Sequence, residues 1–137
     1  MSVLLDVNLL LACAWQSHAR HAAAVAWLRT AGAAHVCTAV ELGFLRVSMG
    51  PAFRVPFAAA LQALNDAKRR GAMTPLPGDL DTSRLPQLST HSEVTDAYLI
   101  ELARANGLRL ATLDDELCAK PWAMGVAFNP LAATVAP

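Results

Sequence analysis

The sequence has few aromatic residues, 6% of 137 with a single tyrosine, and no excess charge of either sign: 11 basic side chains balance 11 acidic ones. A protein that relies on non-specific attraction to nucleic acid usually carries a clear positive excess. A nucleic-acid substrate therefore requires the charges to be segregated, with acids in a pocket and bases around it. Cysteine is scarce: Cys13, Cys37 and Cys118 are widely spaced, odd in number and in no C-x-x-C or Cys/His pattern. That argues against a zinc site and leaves buried, reduced thiols. No apolar run reaches the roughly 18 residues of a membrane span; the longest, Leu9 to Trp15 and Ala22 to Leu28, have the length of core helices. Met1 to Leu5 carries no basic segment and Asp6 interrupts the apolar stretch at once, so a cytoplasmic protein without a signal peptide is expected. There is no G-x-G-x-x-G or Walker motif, which excludes nucleotide binding through a glycine-rich loop.

What is present is a composition of 55% hydrophobic and 16% charged residues, that of a compact chain with enough length for one substantial core. No linker or repeat divides it, so residues 1–137 are expected to form a single domain. Ser2 to Leu5 is an apolar run that reads as a buried strand. Asn8 can cap a helix to about Trp15, and a second helix is expected over His18 to Thr30, closed by Gly32. Val36 and Cys37 form a brief strand, and Thr38 opens a helix ended by Gly50-Pro51. A further helix spans about Pro56 to Arg70, with Gly71 after it. Ala72 to Leu76 reads as a third strand, and Pro77 to Glu93 as loop with one helical turn at most. Thr95 can cap a helix to Asn106, stopped by Gly107; Leu108 to Leu113 and Val126 to Phe128 are the last strands. Strands alternating with helices predict an α/β fold with a parallel sheet covered on both faces.

In such folds ligands gather at the carboxyl ends of the strands, and the acids converge there. Asp6 ends the first strand, Glu41 lies in the first turn after the second, Asp96 opens a helix, and Asp114-Asp115 ends the fourth strand. Each has a structural explanation when taken singly. Thr38-Ala39-Val40-Glu41 fits a capping box, Asp96 suits a positive helix end, and Asp114 to Glu116 could be a solvated turn. Asp6, directly after Val3-Leu4-Leu5, is harder to explain so, because a buried carboxylate needs partners. Taken together, crowded carboxylates raise one another's pKa, and a divalent cation removes that penalty. Oxygen-only ligands suit magnesium or manganese rather than zinc, and such a site can activate water against a phosphodiester.

The same residues carry a resemblance. Leu4-Leu5-Asp6-Val7-Asn8-Leu9-Leu10, Thr38-Ala39-Val40-Glu41-Leu42-Gly43-Phe44-Leu45-Arg46, Thr95-Asp96-Ala97-Tyr98-Leu99 and Leu110-Ala111-Thr112-Leu113-Asp114 resemble, in order and spacing, the successive motifs of PIN domains, in particular of the VapC toxins of bacterial toxin–antitoxin pairs. The resemblance implies a three-layer fold with strand order 3-2-1-4-5, a magnesium- or manganese-dependent RNase activity, a homodimer, and a VapB-like antitoxin that blocks the site. It implies that Asp6, Glu41, Asp96 and Asp114 are the catalytic, metal-holding acids, supported by Asn8 and Thr112. Asp115 departs from the pattern, since a basic or small residue is usual there; whether it or Asp114 faces the metal stays open, with Asp114 favoured by its motif position.

The bases are scattered. Arg46, Arg54, Lys68, Arg69 and Arg70 are the candidates to flank the pocket and meet RNA phosphates, although Lys68-Arg69-Arg70 equally complement a helix end. His18 and His21 sit three apart on a helix, but with no third ligand nearby a surface pair is the simpler account. Leu11, Trp15 and Trp27 could dock an antitoxin or belong to the core. An aspartyl-phosphate phosphatase wants a second acid where Asn8 stands, and a receiver domain wants a suitably placed lysine. The competing reading is a non-catalytic PIN-like module for RNA binding or assembly, from which retention of all four acids argues away.

Overall fold

The computed structural model describes residues 1–132. Five short strands, β1 (Val3–Leu5), β2 (Ala34–Cys37), β3 (Thr74–Leu76), β4 (Arg109–Ala111) and β5 (Ala127–Phe128), form one sheet in the order β3-β2-β1-β4-β5. All pairings are parallel; Leu5 lies opposite Ala111, and Cys37 opposite Leu76. Six helices connect them: α1 (Val7–Ala14), α2 (His21–Thr30), α3 (Thr38–Met49), α4 (Phe57–Arg70), α5 (Val94–Ala105) and the single turn α6 (Asp115–Cys118). The expected α/β architecture and strand order are therefore present. Among the described residues, no helix is long and apolar enough to cross a membrane.

β1 is central and covered on both faces, so all three of its residues are inaccessible to solvent; this is why it reads as an unbroken apolar run rather than an alternation. Around it Leu9, Leu10, Val36, Val40, Phe44, Leu99, Ile100 and Leu110 complete the interior. Leu11 belongs to this core; Trp15 stacks between Phe44 and Phe53 and donates its indole N–H to Ser48 Oγ at 2.9 Å, while Trp27 meets Phe128 edge-on. Gly43 is where α3 crosses α1: a Cβ there would come within 2.7 Å of Val7 Cγ2, so glycine lets the two helices that begin beside Asp6 and Glu41 approach.

The boundaries depart from expectation where capping decides them. α1 is capped by Asp6, whose Oδ1 accepts from the Val7 amide at 2.7 Å, and not by Asn8. α2 begins at His21, after a turn that takes up His18. The capping box expected at Thr38 and Glu41 does not form, because the strand runs directly into α3 and Glu41 is engaged elsewhere. A box forms instead at Thr90 and Glu93, ahead of a helical turn over His91–Glu93 that continues into α5, so Thr95 lies inside the helix. The fourth strand ends at Ala111, short of the expected Leu113, although the Thr112 amide still bonds Phe128 O at 3.0 Å, and α6 follows where a plain turn was expected.

Candidate metal centre at the carboxyl edge of the sheet

Asp6 leaves β1 with its amide bonded to Ala111 O at 2.9 Å, which ties it to the end of β4. It is 6% exposed. Both of its carboxylate oxygens have partners, since Oδ1 accepts from Val7 N and Oδ2 accepts from Thr112 Oγ1 at 2.8 Å. Burial nevertheless pushes the Asp6 pKa above the usual aspartate range; the two hydrogen bonds pull it down, and the nearby Asp114 charge pushes it up again.

Thr112 is fully buried and uses all of its hydrogen-bonding capacity. A hydroxyl has one proton and two lone pairs. The proton goes to Asp6, and the oxygen accepts from Asn8 Nδ2 at 3.2 Å and from the Asp114 amide at 3.1 Å. Asn8 in turn accepts from the Leu113 amide at 3.0 Å through Oδ1. The two polar residues thus bind the start of α1 to the loop after β4 and set the positions of Asp6 and Asp114.

Asp114 caps α6, with Oδ1 accepting from Leu117 N at 3.1 Å. Asp115 is turned away and accepts from Asn129 Nδ2 at 2.9 Å. Asp96 lies half-buried in the first turn of α5. Its pKa is pushed up to about 6, first by burial and then by the charges of Asp6, Asp114 and Glu93. Three aspartates from three separate elements therefore share one electrostatic neighbourhood at the carboxyl edge, and among the described residues none of them is in an ion pair.

Glu41 stands differently: its Oε1 is 2.8 Å from Lys68 Nζ, in a partly shielded pair. Glu93 joins the group without having been singled out in the sequence; the only signal was its capping pattern with Thr90, and it also lies 3.5 Å from Lys120. Of the expected bases, only Lys68 reaches an acid of the set. Arg69 pairs with Asp66, Arg54 Nε donates to Pro51 O, and Arg46 is exposed on α3. Arg70 lies by Cys13, near the residues that lead into β2 and β3, at the opposite edge of the sheet. His21 donates through Nδ1 to Ala12 O at 2.8 Å and His18 Nδ1 accepts from the Arg20 amide at 3.0 Å, so local bonds account for both histidines.

Among the described residues, no three His, Cys, Asp or Glu side chains are already gathered into a closed metal cage. The all-oxygen set suits an ion that does not require one: Mg2+ keeps several waters and binds through one or two carboxylates. A hard cation would also relieve the repulsion that raises Asp6 and Asp96. The donor chemistry therefore fits magnesium or manganese.

The sequence matches the family model of the PIN domain over residues 3–123. It is similar to Ribonuclease VapC38 of Mycobacterium tuberculosis, with 38% identity over 119 residues that cover 81% of this chain and 84% of the relative. Ribonuclease VapC39 of the same species is 34% identical over 132 residues, covering 85% and 91%. The fold resembles a chain in the crystal structure of VapBC2 from Rickettsia felis bound to a DNA fragment from their promoter, with TM-score 0.64, 12% identity, and coverage of 94% of this chain and 98% of that one.

Proposed function

Because the chain belongs to the PIN-domain family, we propose that it is an endoribonuclease of VapC type, dependent on Mg2+ or Mn2+ and held inactive by a cognate VapB-like antitoxin. The observation that carries this reading is the convergence of Asp6, Asp96 and Asp114 at one sheet edge, where among the described residues no lysine or arginine pairs with them. Asp6, Asp96 and Asp114 would hold the ion, with Glu41 joining only where Lys68 releases it. When bound, such an ion activates water and neutralises charge on a phosphodiester. The chain's own residues do the positioning. Thr112 and Asn8 hold Asp6 and the Asp114 loop in register, and Asp114 Oδ1 accepts from the α6 amide of Leu117.

In the same reading, residues 1–137 are one domain that works as a homodimer in the cytoplasm. An antitoxin arginine is suited to the acid set, because guanidinium pairs with carboxylates in a bidentate way, and it would compete with the metal. The test is cleavage of purified RNA with magnesium, with chelator, and with the Asp6→Asn protein. Cleavage is expected in the first case only, leaving 5′-phosphate and 3′-hydroxyl ends. Products with 2′,3′-cyclic phosphate would sink the proposal, since those require attack by the ribose hydroxyl.

A further inference from the structure

Beside the acids lies a cavity of about 210 Å³, whose lining includes Glu93, Asp96, Asp114, Glu116, Lys120 and Trp122. That is smaller than the roughly 300–1,000 Å³ of sites for drug-sized ligands, and it suits one small ring system. Charge decides which part of a nucleic acid can enter. Even with Asp96 and Asp114 engaged by the ion, Glu93 and Glu116 outnumber the one ammonium of Lys120, so away from the ion a phosphate deep inside is repelled. A nucleobase is neutral and brings N–H donors that carboxylates accept.

Trp122 is the aromatic side chain that lines this cavity. Its side chain packs against the hydrophobic core, and its carbonyl accepts from Arg104 Nη2 at 2.9 Å. Lys120 is 42% exposed and 3.5 Å from Glu93 Oε2. The Glu93 side chain is largely covered, but at 3.5 Å the contact is long for an ion pair, and the exposed ammonium is free to turn to a phosphate beside the cavity.

We propose that this cavity is a nucleotide subsite, which takes one unpaired base of the RNA strand against Trp122 and leaves the adjoining backbone phosphate to Lys120. A base can enter only when unstacked from its neighbours, so the subsite selects single strands and loops over duplex. The inference rests on the ribonuclease reading and adds where the strand is gripped next to the acids.

Binding of a labelled single-stranded RNA of mixed sequence to the Asp6→Asn protein, in which the RNA survives, tests it. Trp122→Leu is expected to weaken binding by roughly five- to a hundredfold, the range of one base–aromatic stack, and Trp122→Phe to restore most of it. Lys120→Gln is expected to weaken binding and lower the salt dependence by about one phosphate contact. Duplex RNA should bind less well to the parent and be indifferent to Trp122→Leu. Should Trp122→Leu fail to fold, the exposed Lys120→Gln decides alone. If the wild type cleaves RNA and the variants bind as their parent does, the subsite is overturned and the ribonuclease reading stands. If the wild type neither binds nor cleaves RNA, both fall together.

Discussion

Thr112 has a single hydroxyl proton, and it goes to Asp6 Oδ2 while the oxygen accepts from Asn8 and Asp114. Thr112→Val keeps the shape and removes one donor and two acceptor contacts in a fully buried place. A loss of about 1–3 kcal/mol of stability is expected in urea denaturation, the cost of leaving buried groups unsatisfied. Asp6 also loses a bond that lowers its pKa, so metal affinity measured by calorimetry should fall, and Thr112→Ser should restore both. A second expectation follows from Asp96. Its pKa is raised from 3.8 to about 6, so the folded chain holds a proton that the unfolded chain has lost between those values. The stability from this group is present at acid pH and lost as pH rises through that window. Melting of the metal-free protein should therefore show a destabilising trend from about pH 4 to about pH 6, which Asp96→Asn and saturating magnesium each reduce. A flat profile in the wild type would contradict the burial and crowding of Asp96. The aspartates were legible in the sequence because each follows a strand or opens a helix. The pairing of Glu41 with Lys68 was not: the partners are 27 residues apart, and their meeting depends on how α3 packs on α4.

Helix ends were harder to read than helix interiors. Thr38-x-x-Glu41 and Thr90-x-x-Glu93 both fit the pattern of a capping box, yet only the second forms. The difference is that β2 runs directly into α3, which leaves Cys37 and not Thr38 as the cap, and that a lysine on another helix takes Glu41. The end of α4 shows the same limit. Gly71 reads as the helix stop, but the left-handed residue is Ala72, with φ 47°. Met73 N bonds Lys68 O at 2.9 Å and Ala72 N bonds Arg69 O at 3.2 Å, a Schellman closure centred on alanine. Gly71 serves space instead, since a Cβ there would meet Met73 Cε at 2.8 Å and Leu28 Cδ2 at 2.9 Å. At α5 the residues agree with the rule, with Gly107 at φ 67° in the equivalent position. Ala72→Gly should stabilise the protein by about 1 kcal/mol by relieving the left-handed strain, seen as a later urea midpoint with an unchanged slope. A lower midpoint would mean that glycine's extra freedom in the unfolded chain outweighs the strain.

Across the whole molecule, the balance of 11 acids and bases conceals a local surplus of negative charge at the carboxyl edge, and this makes stability sensitive to cations. At free magnesium or manganese 100 times the dissociation constant, a stabilisation of about 2.7 kcal/mol is expected from linkage. Asp6→Asn should lose that gain while melting no lower than wild type in chelator. An Asp6→Asn protein that responds to metal as the wild type does would place Asp6 outside the centre. Fold class was legible from alternating apolar runs. The distribution of the basic residues was not, because which face Arg69 or Arg70 occupies depends on helix packing rather than on spacing. The central position of β1 has a further consequence, for the time course of synthesis. The first strand made waits for β4, more than a hundred residues later, before Thr112 can reach Asp6. Parallel pairing of such distant segments is intrinsically slow, and no nascent chain that stops short of residue 112 can close the acid set. Cutting activity is thus withheld until the chain has been made through Asp114, and a ribosome stalled before that point holds a harmless fragment.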